Sequence, residues 1–180
     1  TALQRAKPGL RPKLVLFSSS HVELDELASA LRSLFDVSIA VDARAYGDQD
    51  NVAEKFFSNP DAFFLLCGSA HEEGLNLHFA DALVHLDLPL SPQRIEQRIG
   101  RLDRFGRVHE TVEQRVFLPS VDEESSPWEA WYELLAQGFQ VFNVSIADVQ
   151  FVLGKLVELA KDALFEHGAS GVRALVSIVR

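Results

Sequence analysis

The stretch Lys13-Leu14-Val15-Leu16-Phe17-Ser18-Ser19-Ser20 decides the fold of this chain. An apolar run breaks at once into hydroxyl residues, the pattern of a strand buried on both faces that ends in a turn. Behind it Val22, Leu24, Leu27, Ala28, Leu31 and Leu34 recur at helical spacing, with Ser20 as N-cap and Glu23 three positions on. The alternation then repeats. A strand is predicted over Val37–Val41, and a helix over Asp48–Phe57 that Asn59-Pro60 stops. Strands follow at Ala62–Cys67 and Ala82–Leu86, the latter closing on Asp87-Leu88-Pro89. A helix runs from Pro92 to about Arg104, and a fifth strand covers Val112–Leu118. Continuously apolar strands alternating with helices predict an α/β fold, a parallel sheet with helices on both faces.

The pattern changes near Ser120. Val121-Asp122-Glu123-Glu124-Ser125-Ser126-Pro127 is acidic and rich in turn residues, a linker by composition. Two helical segments follow, about Trp128–Phe142 and Ile146–His167, with Trp131, Leu134, Leu135, Val149, Val152, Leu153, Leu156 and Leu159 at three- and four-residue intervals. They read either as helices packed on the sheet domain or as a free partner-binding hairpin. The run Ala174–Val179 suits a sixth strand or a trailing helix equally. The organisation is thus a leader at 1–12, a sheet domain at 13–120, a linker at 121–127 and a helical extension at 128–180.

With 180 residues, 47% of them apolar and 24% charged, the chain can bury a core, which excludes a disordered tail. One cysteine, Cys67, forms no internal disulfide and fits a reducing, cytoplasmic compartment. No apolar run reaches the ~18 residues of a membrane span. The net charge of −9 excludes a domain that grips nucleic acid through its overall charge, but not a local basic strip. Methionine is absent, position 1 included, which predicts a piece of a longer protein.

Several chemistries are excluded. His71-Glu72-Glu73-Gly74-Leu75 begins like the zinc-protease H-E-x-x-H, but Leu75 stands where the second histidine should. No close ligand pairs suggest a metal site. Gly154-Lys155 is followed by Leu156 and lacks the preceding glycine of a P-loop, and no G-x-G-x-x-G or G-x-S-x-G occurs. The chain has no phosphate cradle of its own.

The densest signal is Gln97-Arg98-Ile99-Gly100-Arg101-Leu102-Asp103-Arg104. On a helix, Gln97, Arg101 and Arg104 fall within about 60° of one another, while Ile95, Ile99 and Leu102 cluster opposite and can anchor the helix. Arg98 lies between the faces, near Arg94. From Arg94 to Arg107 the chain has five arginines, two acids and no lysine. Arginine's planar fork suits phosphate oxygens. The alternative is a solvated face making surface ion pairs with Glu96 and Asp103. A second signal is Gly68–Leu77, which follows the third strand at its carboxyl end, where parallel sheets bind ligands. A glycine-containing connector without a ligand is the alternative there.

Taken together, Glu73-Gly74-Leu75-Asn76-Leu77, Ala82–Pro89 and Glu96–Gly106 resemble the second motor lobe of superfamily-2 helicases, most nearly the Swi/Snf-type translocases of the bacterial RapA-like branch. Lys13–Ser18 resembles motif IV of that family, 68–77 motif V and 97–104 motif VI; the ordered match spans roughly 11–120. Trp128-Glu129-Ala130-Trp131-Tyr132 resembles, less specifically, the helical extension after this lobe. Two departures stand out: Gly68 where many relatives carry Ser or Thr, and His71-Glu72-Glu73 where small residues are common. Adjacent carboxylates there would repel a phosphodiester track.

The resemblance implies a RecA-like lobe that closes over ATP and Mg2+ held mainly by a first lobe of the same chain. It implies that Arg101 and Arg104 are arginine fingers, and that Gly74, Asn76 and Gln97 face the nucleotide. Ser18, Ser19 and Ser69 would contact the backbone of nucleic acid, double-stranded DNA, without reading sequence. A non-catalytic scaffold module retaining the lobe is the second reading. A sugar-nucleotide transferase half-domain shares the sheet class but leaves motif VI unexplained.

Overall fold

The computed structural model describes residues 12–35, 40–46, 49–103, 112–118, 126–143, 145–146 and 150–179. Five parallel strands form one sheet: β1 (Leu14–Phe17), β2 (Ala40–Asp42), β3 (Phe64–Cys67), β4 (Ala82–His85) and β5 (Glu113–Val116), in the order β2-β3-β1-β4-β5. Helix α1 (His21–Leu34) follows β1, α2 (Gln49–Ser58) precedes β3, and α3 (Pro92–Leu102) joins β4 to β5. Ser20 caps α1, accepting from the Glu23 N–H at 3.2 Å, as its sequence position predicts. The described part of the second strand starts at Ala40; the part of its predicted range before that lies outside the described residues. The expected α/β sheet with helices on both faces is what forms.

Alternation along each strand sorts two cores. Leu16, Leu66 and Val84 point to one face and pack with Leu24, Ala28 and Leu31 of α1. Val15, Phe17, Leu65, Cys67 and Leu83 point to the other, against Val52 and Phe56 of α2, Leu75 and Leu77 of the loop after β3, and Leu102 of α3. Both faces being covered explains why these strands read as apolar runs rather than as alternating ones. Cys67 is wholly buried, and burial pushes its thiol pKa up.

The chain divides into two compact units: residues up to Asp87 with Gln97–Phe117, and Leu88–Glu96 with residues from Leu118 on. In the second unit, α4 (Pro127–Glu133) runs into a wide turn over Leu134–Gly138, and α5 (Gln150–Val179) packs on both. Proline at the first helical position starts α4 one residue earlier than the composition suggests. The Trp131 indole donates to the Pro89 carbonyl at 3.3 Å, and Glu96 accepts from the Ile146 N–H at 3.0 Å. The C-terminal run is helical: α5 bends sharply at Gly168, whose φ is 62°, and continues to Val179. Leu153, Val157 and Ala160 form its buried face, whereas Val152 and Leu159 are exposed.

Candidate functional site

In an open parallel sheet, ligands bind outside the carboxyl ends of the two adjacent strands whose connections leave in opposite directions. Here those strands are β1, which leads toward β2, and β4, which leads toward β5. The loops after them carry Ser18-Ser19 and Asp87. Side chains of the chain itself meet between them. The Ser19 N–H donates to Asp87 Oδ2 at 2.9 Å, and the Arg98 guanidinium enters from α3.

Arg98 is fully buried, the largest side chain that is. Its Nε donates to Glu72 Oε1 at 2.8 Å, one terminal nitrogen to the Asp87 carbonyl at 2.9 Å, and the other to Asp87 Oδ1 at 2.9 Å and Ser19 Oγ at 3.2 Å. Its Cζ sits 5.5 Å from the Phe17 ring centroid. This corrects the sequence reading twice. Arg98, set between the two helix faces by the sequence, is fully buried, and Glu72 is not a carboxylate facing a nucleic-acid track but a buried partner of Arg98. The helical wheel held a signal for the first: Arg98 lies about 40° from Leu102, at the margin of the buried stripe. Beside it, His85 is buried on β4, and burial, then the Arg98 charge, pushes its imidazole pKa down to about 4.

The loop after β3 lies along α3 and is tied to it at three places. Glu72 meets Arg98, Gln97 Nε2 donates to Glu73 Oε1 at 3.2 Å, and the Leu77 N–H donates to the Arg101 carbonyl at 3.0 Å. Gly74 turns the loop with φ 86°, a conformation that suits glycine. Asn76 is exposed, with its Oδ1 3.0 Å from His78 Nδ1. Arg101 is half-buried, its Nε donating to the Gln97 carbonyl at 3.2 Å. Gly74, Asn76, Gln97 and Arg101 are therefore carried by one tied pair of segments. Arg104 lies outside the described residues.

The three serines part company. Ser69 is exposed at the start of a short turn, Ser69–His71. The Ser19 side chain accepts from Arg98. Ser18 is fully buried; its hydroxyl donates to Glu23 Oε2 at 2.7 Å and accepts from the Ser20 N–H at 3.0 Å, so it serves the start of α1. His71, His78 and His85 lie apart, in a turn, a loop and a strand. Among the described residues no group of three His, Cys, Asp or Glu side chains could hold a metal ion, and no helix is long and apolar enough to cross a membrane. The carboxylates of Glu72 and Asp87 already face a guanidinium, which suits them poorly to Mg2+.

The family described as the helicase conserved C-terminal domain matches residues 4–106. The chain belongs to that family. This helicase C-terminal lobe is of superfamily-2, RapA-like type. RNA polymerase-associated protein RapA of Sodalis glossinidius is 30% identical over 173 residues, 93% of this chain and 17% of that protein. RapA of Erwinia tasmaniensis is 48% identical over 64 residues, 35% of this chain and 7% of that protein. The lobe thus spans less than a fifth of the length of these relatives. The C-terminal part of the Fun30 ATPase domain shares the fold, with a TM-score of 0.56 at 20% identity over 84% of this chain and 48% of that one.

Proposed function

We propose that this lobe is the C-terminal half of an ATP-dependent translocase on double-stranded DNA, and that Arg101 and Arg104 reach ATP held by a first lobe. The observation that supports this reading is the tie between the loop after β3 and α3, the two segments that carry Gly74, Asn76, Gln97 and Arg101. Charge developing on the transferring phosphoryl oxygens is met by guanidiniums that keep their charge at any working pH. Gln97 positions the nucleotide or the attacking water, and Gly74 lets the loop backbone approach closely. Mg2+ would be held by residues of the first lobe and would offset the phosphate charge. Ser69 is the contact to the DNA backbone, which leaves sequence unread. Alternate closing and opening of the two lobes then shifts the grip along the duplex.

The test is Arg101→Ala in the protein carrying both lobes. Its DNA-stimulated ATPase rate is expected to fall by roughly 10²-fold or more, and Arg104→Ala likewise, as arginine fingers contribute on that scale. Arg101→Lys should recover little, because the ammonium keeps the charge and loses the fork. Binding of DNA without nucleotide should persist. Folded Arg101→Ala and Arg104→Ala variants that turn over at the parental rate would make the scaffold reading the better one.

A further inference from the structure

We propose that Arg98 is a positioning residue for the nucleotide-facing surface, setting the pose of Arg101 and Asn76 by tying α3 to the three loops at the centre of the sheet. The inference rests on the function proposed above. The three loops are those after β1, β3 and β4, and each supplies one partner: Ser19, Glu72 and Asp87. Four donations leave from one side chain with no solvent exposure. Arg98 stands three residues before Arg101, one helical turn away, so whatever fixes the rotation of α3 at Arg98 fixes the direction of Arg101.

Stability alone does not account for this arrangement. A buried ion pair is commonly no better for stability than well-packed apolar residues of the same volume. An apolar plug, however, sets no direction, whereas a planar fork facing a carboxylate on one side and a second carboxylate with its carbonyl on the other sets both distance and angle. The same side chain holds Glu72, two residues before Gly74 and four before Asn76, so loop and helix move as one body. Misplacing a reacting group by about 1 Å can cost a hundredfold in rate, so a rigid mount beneath a finger has a kinetic consequence.

A mutant cycle in the two-lobe protein tests this, with ATPase measured at saturating DNA. Arg98→Lys keeps the charge and loses the fork; it is expected to lower kcat about tenfold or more with KM within about twofold. In the Arg101→Ala background the same change should cost less than about twofold further, since it acts through Arg101. Glu72→Gln, which keeps the shape of the partner and removes its charge, is read in the same cycle and stands in if Arg98→Lys does not fold. If Arg101→Ala is slow and the Arg98→Lys or Glu72→Gln loss multiplies with it in full, the role is structural and the positioning proposal is overturned alone. Folded variants at the parental rate overturn it too. If Arg101→Ala itself runs at the parental rate, the finger assignment fails and the positioning role falls with it.

Discussion

His85 carries a pH dependence that its place in β4 imposes. Burial and the Arg98 charge hold its pKa near 4, against an ordinary value of 6.5. Between those values the unfolded chain binds the proton that the folded chain refuses. The stability is therefore complete above pH 6.5 and is lost as pH falls toward 4. Buried His71, lowered chiefly by burial, acts in the same direction. Urea unfolding at pH 7.5 and 5.5 should differ by about 1 kcal/mol on account of His85, a window chosen above most carboxylate titration. His85→Gln should flatten that difference; an unchanged slope would place its source elsewhere. Residue by residue, the sequence was legible where one element decides the outcome. Ser20 caps the helix it precedes, and Cys67 is buried by the run it ends. Arg98 was misread because its partners lie 11, 26 and 79 positions away, and a charged residue read locally looks like a surface residue.

At the scale of elements, the bend of α5 rests on two glycines. Gly168 turns the chain with a positive φ, and Gly171 lets the second arm return against the first. A Cβ on Gly171 would stand 2.5 Å from the Ala163 carbonyl oxygen and 2.9 Å from His167 Cβ. Gly171→Ala should lower the stability of this unit by about 1–3 kcal/mol, as overpacking does. Gly154 is the control: a Cβ there meets nothing within 4 Å, and Gly154→Ala should stabilise the helix by about 0.5–1 kcal/mol. Thermal unfolding of the two variants should move in opposite directions; equal shifts would mean that the bend tolerates a methyl group. Strands and helices were legible because each is a single-period pattern. The run Ala174–Val179 was not, since six nearly unbroken apolar residues satisfy both periods; its helical outcome follows from packing in the second unit. The wide turn over Leu134–Gly138 has no periodic signature of its own.

For the molecule as a whole, Ser19, Asp87 and Arg98 bond to one another at the switch point between β1 and β4, and the sequence has no P-loop. The isolated chain is expected to release no phosphate from ATP above background, with or without DNA; steady turnover by the pure chain would refute the two-lobe reading. The expectation of a half-site comes from the sequence, which has no phosphate cradle, while the meeting of Ser19, Asp87 and Arg98 required the fold, because they come together only once β1 and β4 are neighbours. The margins of the sheet have their own bearing on how the lobe lives beside other chains. One outer strand, β5, has four residues and presents Arg115, its side chain 59% exposed and paired with Glu113. So brief and charged a border offers too little ladder to template a foreign strand. Along that border the sheet is poorly suited to grow by strand addition or to seed aggregation.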